Sequence, residues 1–136
     1  MDQLVKALRQ VDADAYAVIG QTHFYHWNVR GNSFFSLHQV FEEQYTELFI
    51  AIEEIAARIR AKDAFAAGGL ANLAQMSGIP EIKEDADATT MVKHLLAANK
   101  KTLDDLRMAC DLAAEVGDCD SENLMISRIQ VHEKTV

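Results

Sequence analysis

Helix-breaking residues are few in this chain, and four of its seven glycines and prolines fall in one stretch. The chain has a single proline, Pro80, and six glycines. Gly68, Gly69 and Gly78 lie with that proline in "AAGGLANLAQMSGIPEIKED". Proline removes a backbone donor and glycine raises the entropic cost of order, so both are costly inside helices. Their scarcity elsewhere points to long helices and against a many-stranded sandwich. Apolar residues recur at helical spacing on both sides of the break. Before it they are Leu4, Leu8, Val11, Ala15, Val18, Ile19, Thr22 and Val29 over residues 2–30, then Phe34, Leu37, Val40, Phe41, Tyr45, Leu48, Ile52, Ile55 and Ile59 over about 34–61. Gly31 and Asn32 separate these two runs, with Ser33 or Asn32 available as N-cap. After the break, Asp87 or Thr89 caps a third run through Met91, Leu95, Leu96, Leu103, Leu106 and Leu112, ending at Gly117. A fourth starts at Ser121 and carries Leu124, Met125, Ile129 and His132.

The expected fold is all-α. Four helices form an up-down-down-up bundle, with a long crossover between the second and third that carries a short extra helix, "LANLAQM". The 136 residues, 49% of them hydrophobic, are read as one domain spanning 1–136. Net charge is −8. An acidic surface repels phosphate backbones and attracts cations, so DNA binding is not expected. No apolar run approaches the ~20 residues of a membrane span. The N-terminus lacks a secretory pattern, and Cys110 and Cys119 form no disulfide framework. A cytoplasmic protein with reduced thiols fits these features. Near the N-terminus, Lys6 and Arg9 are balanced by Asp2 and Asp12, leaving no basic arm.

Bundles often hold metals through Glu-x-x-His pairs, but none of the five histidines sits in that pattern. The stretch "HWNVRGNSFFSLHQVFEE" offers a different set. A tight reversal would bring His26, near the end of the first helix, to His38 in the first turns of the second. Glu42 shares a helix face with His38. Imidazole plus carboxylate suits iron or zinc better than calcium or magnesium. The alternative is that these are polar residues at helix ends beside a solvated charge. Glu53 lies about 22 Å beyond His38 at ~1.5 Å per residue. It can join the histidines only if a second copy packs its second helix antiparallel, giving two sites per two-fold dimer. Otherwise Glu53 is a surface charge, as Glu54 is in an i, i+4 pair with Arg58.

"HWNVRGNSFFSLHQVFEEQYTELFIAIEEIAARIRA", the "SGIPE" connection and "SENLMISRIQVHEKTV" together resemble the Dps-type mini-ferritins over nearly the whole chain. The resemblance implies a ferritin-like bundle assembled as a hollow dodecamer. Such a shell oxidises ferrous iron, preferably with hydrogen peroxide, and stores ferric iron, protecting the cell from oxidative stress. It implies that His26, His38 and Glu42 are ligands at a two-fold interface, with zinc a possible substitute metal. The facing Asp-x-x-Ala-Glu-Arg pattern reads Glu53-Glu54-Ile55-Ala56-Ala57-Arg58 here. Glu53 keeps a carboxylate, whereas Ala57 stands where the family has a second one. The alternative expectation is therefore a shell with a degenerate oxidation site, binding metal with little catalysis. His23, one turn before His26, is either a substitute ligand or a polar residue at the interface. Asp118, Asp120 and Glu122 match the acidic three-fold pore, with Asn123 where an Asp is common. The basic tail associated with DNA binding in the family has no counterpart in this sequence.

Overall fold

The computed structural model describes residues 2–135. Four long helices, α1 (Gln3–Asn28), α2 (Phe34–Ala61), α4 (Ala88–Glu115) and α5 (Cys119–Thr135), flank the short α3 (Leu70–Met76). No strand is present among the described residues. Three apolar layers stack along the bundle axis. At one end Leu4, Leu8, Ile55, Ile59, Leu106, Ala109 and Met125 unite all four long helices. The middle layer holds Ala15, Val18, Ile19, Leu48, Ile52 and Ala98, closed by Ile79 of the crossover. At the other end Tyr25, Val29 and Phe41 meet Met91 and Leu95. The end of α1 thus meets the starts of α2 and α4, and α5 starts at the opposite end. This is the expected up-down-down-up order. Among the described residues no helix is long and apolar enough to cross a membrane.

The helix ends differ slightly from the sequence reading, for identifiable reasons. α1 stops at Asn28 because Val29 turns extended and drops its side chain into the core. Gly31 then takes φ +103°, a conformation that disfavours any side chain. Asp87, not Thr89, caps α4 by accepting the Thr90 N–H at 2.8 Å. α5 begins at Cys119 rather than Ser121, because Asp118 accepts from the Ser121 backbone at 3.1 Å and from its hydroxyl at 2.7 Å.

Polar side chains of α1 fasten the crossover. Gln21 makes two bonds to the Ile82 backbone, each 3.0 Å. Asp14 accepts the Gly78 N–H at 2.9 Å, and Gln10 bridges Asp14 and the Met76 carbonyl at 3.0 and 2.8 Å. A side chain at Gly78 would meet Lys101 Cε at 2.7 Å.

α5 is held by a buried polar chain. Arg128 donates from both terminal nitrogens to Glu47 of α2, one bond being 2.9 Å. It also donates to His132 Nε2 at 3.1 Å, and His132 Nδ1–H donates to Asn99 Oδ1 of α4 at 3.0 Å. Burial and the Arg128 charge push the His132 pKa down to about 4, against a smaller opposite pull from Glu47. An imidazole whose pKa is lowered in the folded state is protonated first in the unfolded chain. Its contribution is therefore complete above about pH 6.5 and is lost as pH falls towards 4, by about 3 kcal/mol in all. Asp12 and Asp14 work in the opposite direction, because their carboxyl pKa values are raised on folding. Urea unfolding of wild type and His132→Gln at pH 7 and pH 4.5 separates the two effects. The variant is expected to lose clearly less stability on acidification than wild type. Equal losses would assign the acid sensitivity to other groups.

Candidate metal centre

The five-residue reversal between α1 and α2 puts His26 against His38. Their rings stack with centroids 3.7 Å apart and planes 15° from parallel. Each ring bonds the other residue's backbone. His26 Nδ1 lies 2.7 Å from the His38 carbonyl, and His38 Nδ1 lies 2.8 Å from the His26 carbonyl. A carbonyl can only accept, so both Nδ1 atoms carry the proton. In the neutral rings both Nε2 atoms therefore keep a free lone pair. A backbone carbonyl on the distal nitrogen is how metal-binding imidazoles are commonly oriented and made more basic. Glu42 Oε1 stands 3.9 Å from His26 Nε2, with its side chain mostly in solvent. Aromatic neighbours limit ring motion: Phe34 stacks on His38 at 5.0 Å, and Tyr45 meets His26 edge-on at 5.4 Å.

His23 lies between Trp27 and Tyr45, at 4.1 and 4.7 Å between centroids, and 6.4 Å from His26. Its ring is part of an aromatic packing group. Glu53 sits far along α2, exposed like Ala57 one turn later. Among the described residues no three His, Cys, Asp or Glu side chains of one chain are grouped to hold a metal. The structure thus brings His26, His38 and Glu42 together and leaves Glu53 apart.

Of the three acids at the start of α5, Asp120 is exposed and Glu122 half-buried. Asp118 is engaged: it pairs with Arg58 at 3.2 Å and Lys62 at 3.1 Å besides capping α5. Those bonds and charges hold its carboxyl well below the usual range despite burial, which opposes them. It serves as a cap and ion-pair partner, and Asp120 also reaches Arg58, at 3.8 Å.

In the sequence Asp12 counts only as charge balance for Lys6 and Arg9. In the structure it is only 8% exposed. Its Oδ1 is buried and has no hydrogen-bond partner among the described residues. Burial, and secondarily the Glu53 charge, push its pKa up to about 7.

A ferritin-like domain model matches residues 5–136. The chain is 33% identical to a DNA protection during starvation protein of Brevibacillus brevis, covering 87% of this chain and 80% of the relative. A second protein of that name, from Bacillus anthracis, is 30% identical over 91% of this chain and 85% of its own length. The chain belongs to the Dps-type mini-ferritins. The crystal structure of Dps from Staphylococcus aureus superposes with a TM-score of 0.95 at 31% identity, covering 98% of this chain and 90% of that one. Dps from Vibrio cholerae O1, described as one of the ferritin-like diiron-carboxylate proteins, gives 0.93 at 32% identity, covering 97% and 83%. As a Dps-type mini-ferritin the chain falls in an iron-binding family. Its His-carbonyl clasp lies at the α1–α2 reversal of a Dps fold.

Proposed function

We propose that this protein oxidises ferrous iron with hydrogen peroxide and stores the ferric product inside a homo-oligomeric shell in the cytoplasm, the whole chain acting as one bundle domain. The observation that carries this reading is the reciprocal clasp, which leaves two imidazole lone pairs beside the Glu42 carboxylate. These donors suit ferrous iron, and zinc would compete for them. Two ferrous ions each give one electron to peroxide; its O–O bond breaks and two hydroxides form. The protein supplies position and negative charge.

The remaining ligands come from a second copy. Phe49, Ile50, Glu53 and Ala57 fall at spacings of three and four on α2, and Phe49 and Ile50 are exposed. An exposed apolar strip of this kind marks an association surface. Packing two such strips antiparallel about a two-fold carries Glu53 to the partner's histidines; that contact is saturated in the dimer, so a dodecamer joins six such dimers through a second contact at its three-fold axes. With a net charge of −8, retention of DNA is not part of this function.

The test mixes anaerobic protein with ferrous iron, adds peroxide and follows ferric absorbance, with size-exclusion chromatography on the same sample. Wild type should run as a large oligomer and oxidise iron well above the protein-free rate. His38→Ala should lose at least tenfold of that excess. A wild-type rate equal to the blank, rising in Ala57→Glu, would overturn the oxidation reading. It would leave a shell whose site has decayed.

A further inference from the structure

The chain lacks a side-chain ligand at Ala57, and the bundle places an unused carboxylate close by. Asp12 lies fourteen residues before His26 on α1, and Glu53 fifteen after His38 on α2. The two helices run antiparallel from the His26–His38 contact, so equal steps of ~1.5 Å return Asp12 and Glu53 to one level. The Glu53 charge acts on Asp12 directly. No lysine or arginine pairs with Asp12 among the described residues, and its Oδ1 stays buried without a donor. A buried acceptor lacking a donor is costly unless something fills its lone pairs. Asp14, two residues on, is held through one oxygen: its Oδ1 receives the Gly78 N–H and the Gln10 amide, while its Oδ2 is buried without a partner among the described residues. Asp12 has no such donor.

We propose that Asp12 is a metal ligand, replacing from α1 the carboxylate absent at position 57 and joining Glu53 to form the acidic half of each two-fold site. The occupant is a divalent transition cation, ferrous iron in the cell. Asp12 and Glu53 neutralise its charge from one side, while His26, His38 and Glu42 of the second copy hold it from the other. This inference rests on the two-fold site proposed above, and its test separates the two.

Assembled, anaerobic protein is titrated with Co²⁺, read by calorimetry and by visible absorption of the bound ion. Wild type, Asp12→Asn, His38→Ala and the double variant Asp12→Asn/Ala57→Glu are compared. Asparagine keeps the shape of Asp12 and removes a buried charge, so Asp12→Asn should melt no lower than wild type without metal. Its Co²⁺ affinity should fall about tenfold or more, with a changed spectrum, and adding Ala57→Glu should restore most of the loss. A crystal of the Co²⁺ form should show Asp12 Oδ1 within about 2.2 Å of the ion. If Asp12→Asn binds Co²⁺ like wild type while His38→Ala does not, Asp12 is no ligand and the two-fold site stands. If His38→Ala also binds like wild type, the site itself is wrong and the role of Asp12 falls with it.

Discussion

Arg128→Ala is expected to destabilise the protein by about 2–4 kcal/mol, lowering its melting temperature by about 10 °C at fixed protein concentration. The guanidinium is almost fully buried and joins three helices. It neutralises Glu47 on α2, donates to His132 on α5 and through it reaches Asn99 on α4. Truncation strips the Glu47 carboxylate of its ion pair and removes the donor to His132 Nε2. The Glu47 side chain is 43% exposed, so water recovers part of the loss, which keeps the value below that of a fully buried pair. Arg128→Lys should not rescue fully, because one ammonium cannot match the forked contact with Glu47 while reaching His132. Thermal melts of the three proteins at pH 7 provide the check. A loss under 1 kcal/mol for alanine would mean that this chain of bonds adds little.

Tyr25→Ala should be at least as severe, costing about 3–5 kcal/mol, because a large aromatic leaves a cavity that its neighbours cannot fill. Tyr25 is fully buried between Val29, Phe41, Met91 and Leu95, the layer joining the end of α1 to α2 and α4. His26 is its immediate neighbour in sequence. Loosening this layer frees the reversal that sets the His26 and His38 carbonyls, so metal binding should fall along with stability. Tyr25→Phe is the control. It loses only the 2.7 Å hydrogen bond to His94 Nδ1, worth about 1 kcal/mol, and should keep the metal site. Metal affinity unchanged in Tyr25→Ala would show that the clasp is set locally by the reversal alone.

The helices were legible because burial follows spacing. Every residue named on the α1 face is buried. The meeting of His26 and His38 was legible too, since a five-residue reversal leaves their helix ends little freedom. The tautomer was not, because it depends on two backbone carbonyls whose aim no sequence pattern encodes. Asp12, Asp14, Gln21 and Arg128 escaped for a shared reason. A polar side chain on an amphipathic helix is normally solvated, and nothing local distinguishes one that meets a distant segment. Arg128 and Glu47 are 81 positions apart, and Gln21 and Ile82 are 61 apart. The ion pairs of Asp118 with Arg58 and Lys62 were not legible either, because they form only once α2 and α5 pack.

The placement of the crossover also bears on the order in which the chain assembles. α1 with α2, and α4 with α5, are helical hairpins closed by short reversals, so each can collapse early with little loss of chain entropy. Docking the hairpins must close a much longer loop. The bonds from Gln10, Asp14 and Gln21 to residues 76–82 can form only once that loop has found its path along α1. They act as a late latch, and until it closes the two hairpins are free to meet the hairpins of other chains. Domain-swapped dimers are the misassembly to which this topology is prone.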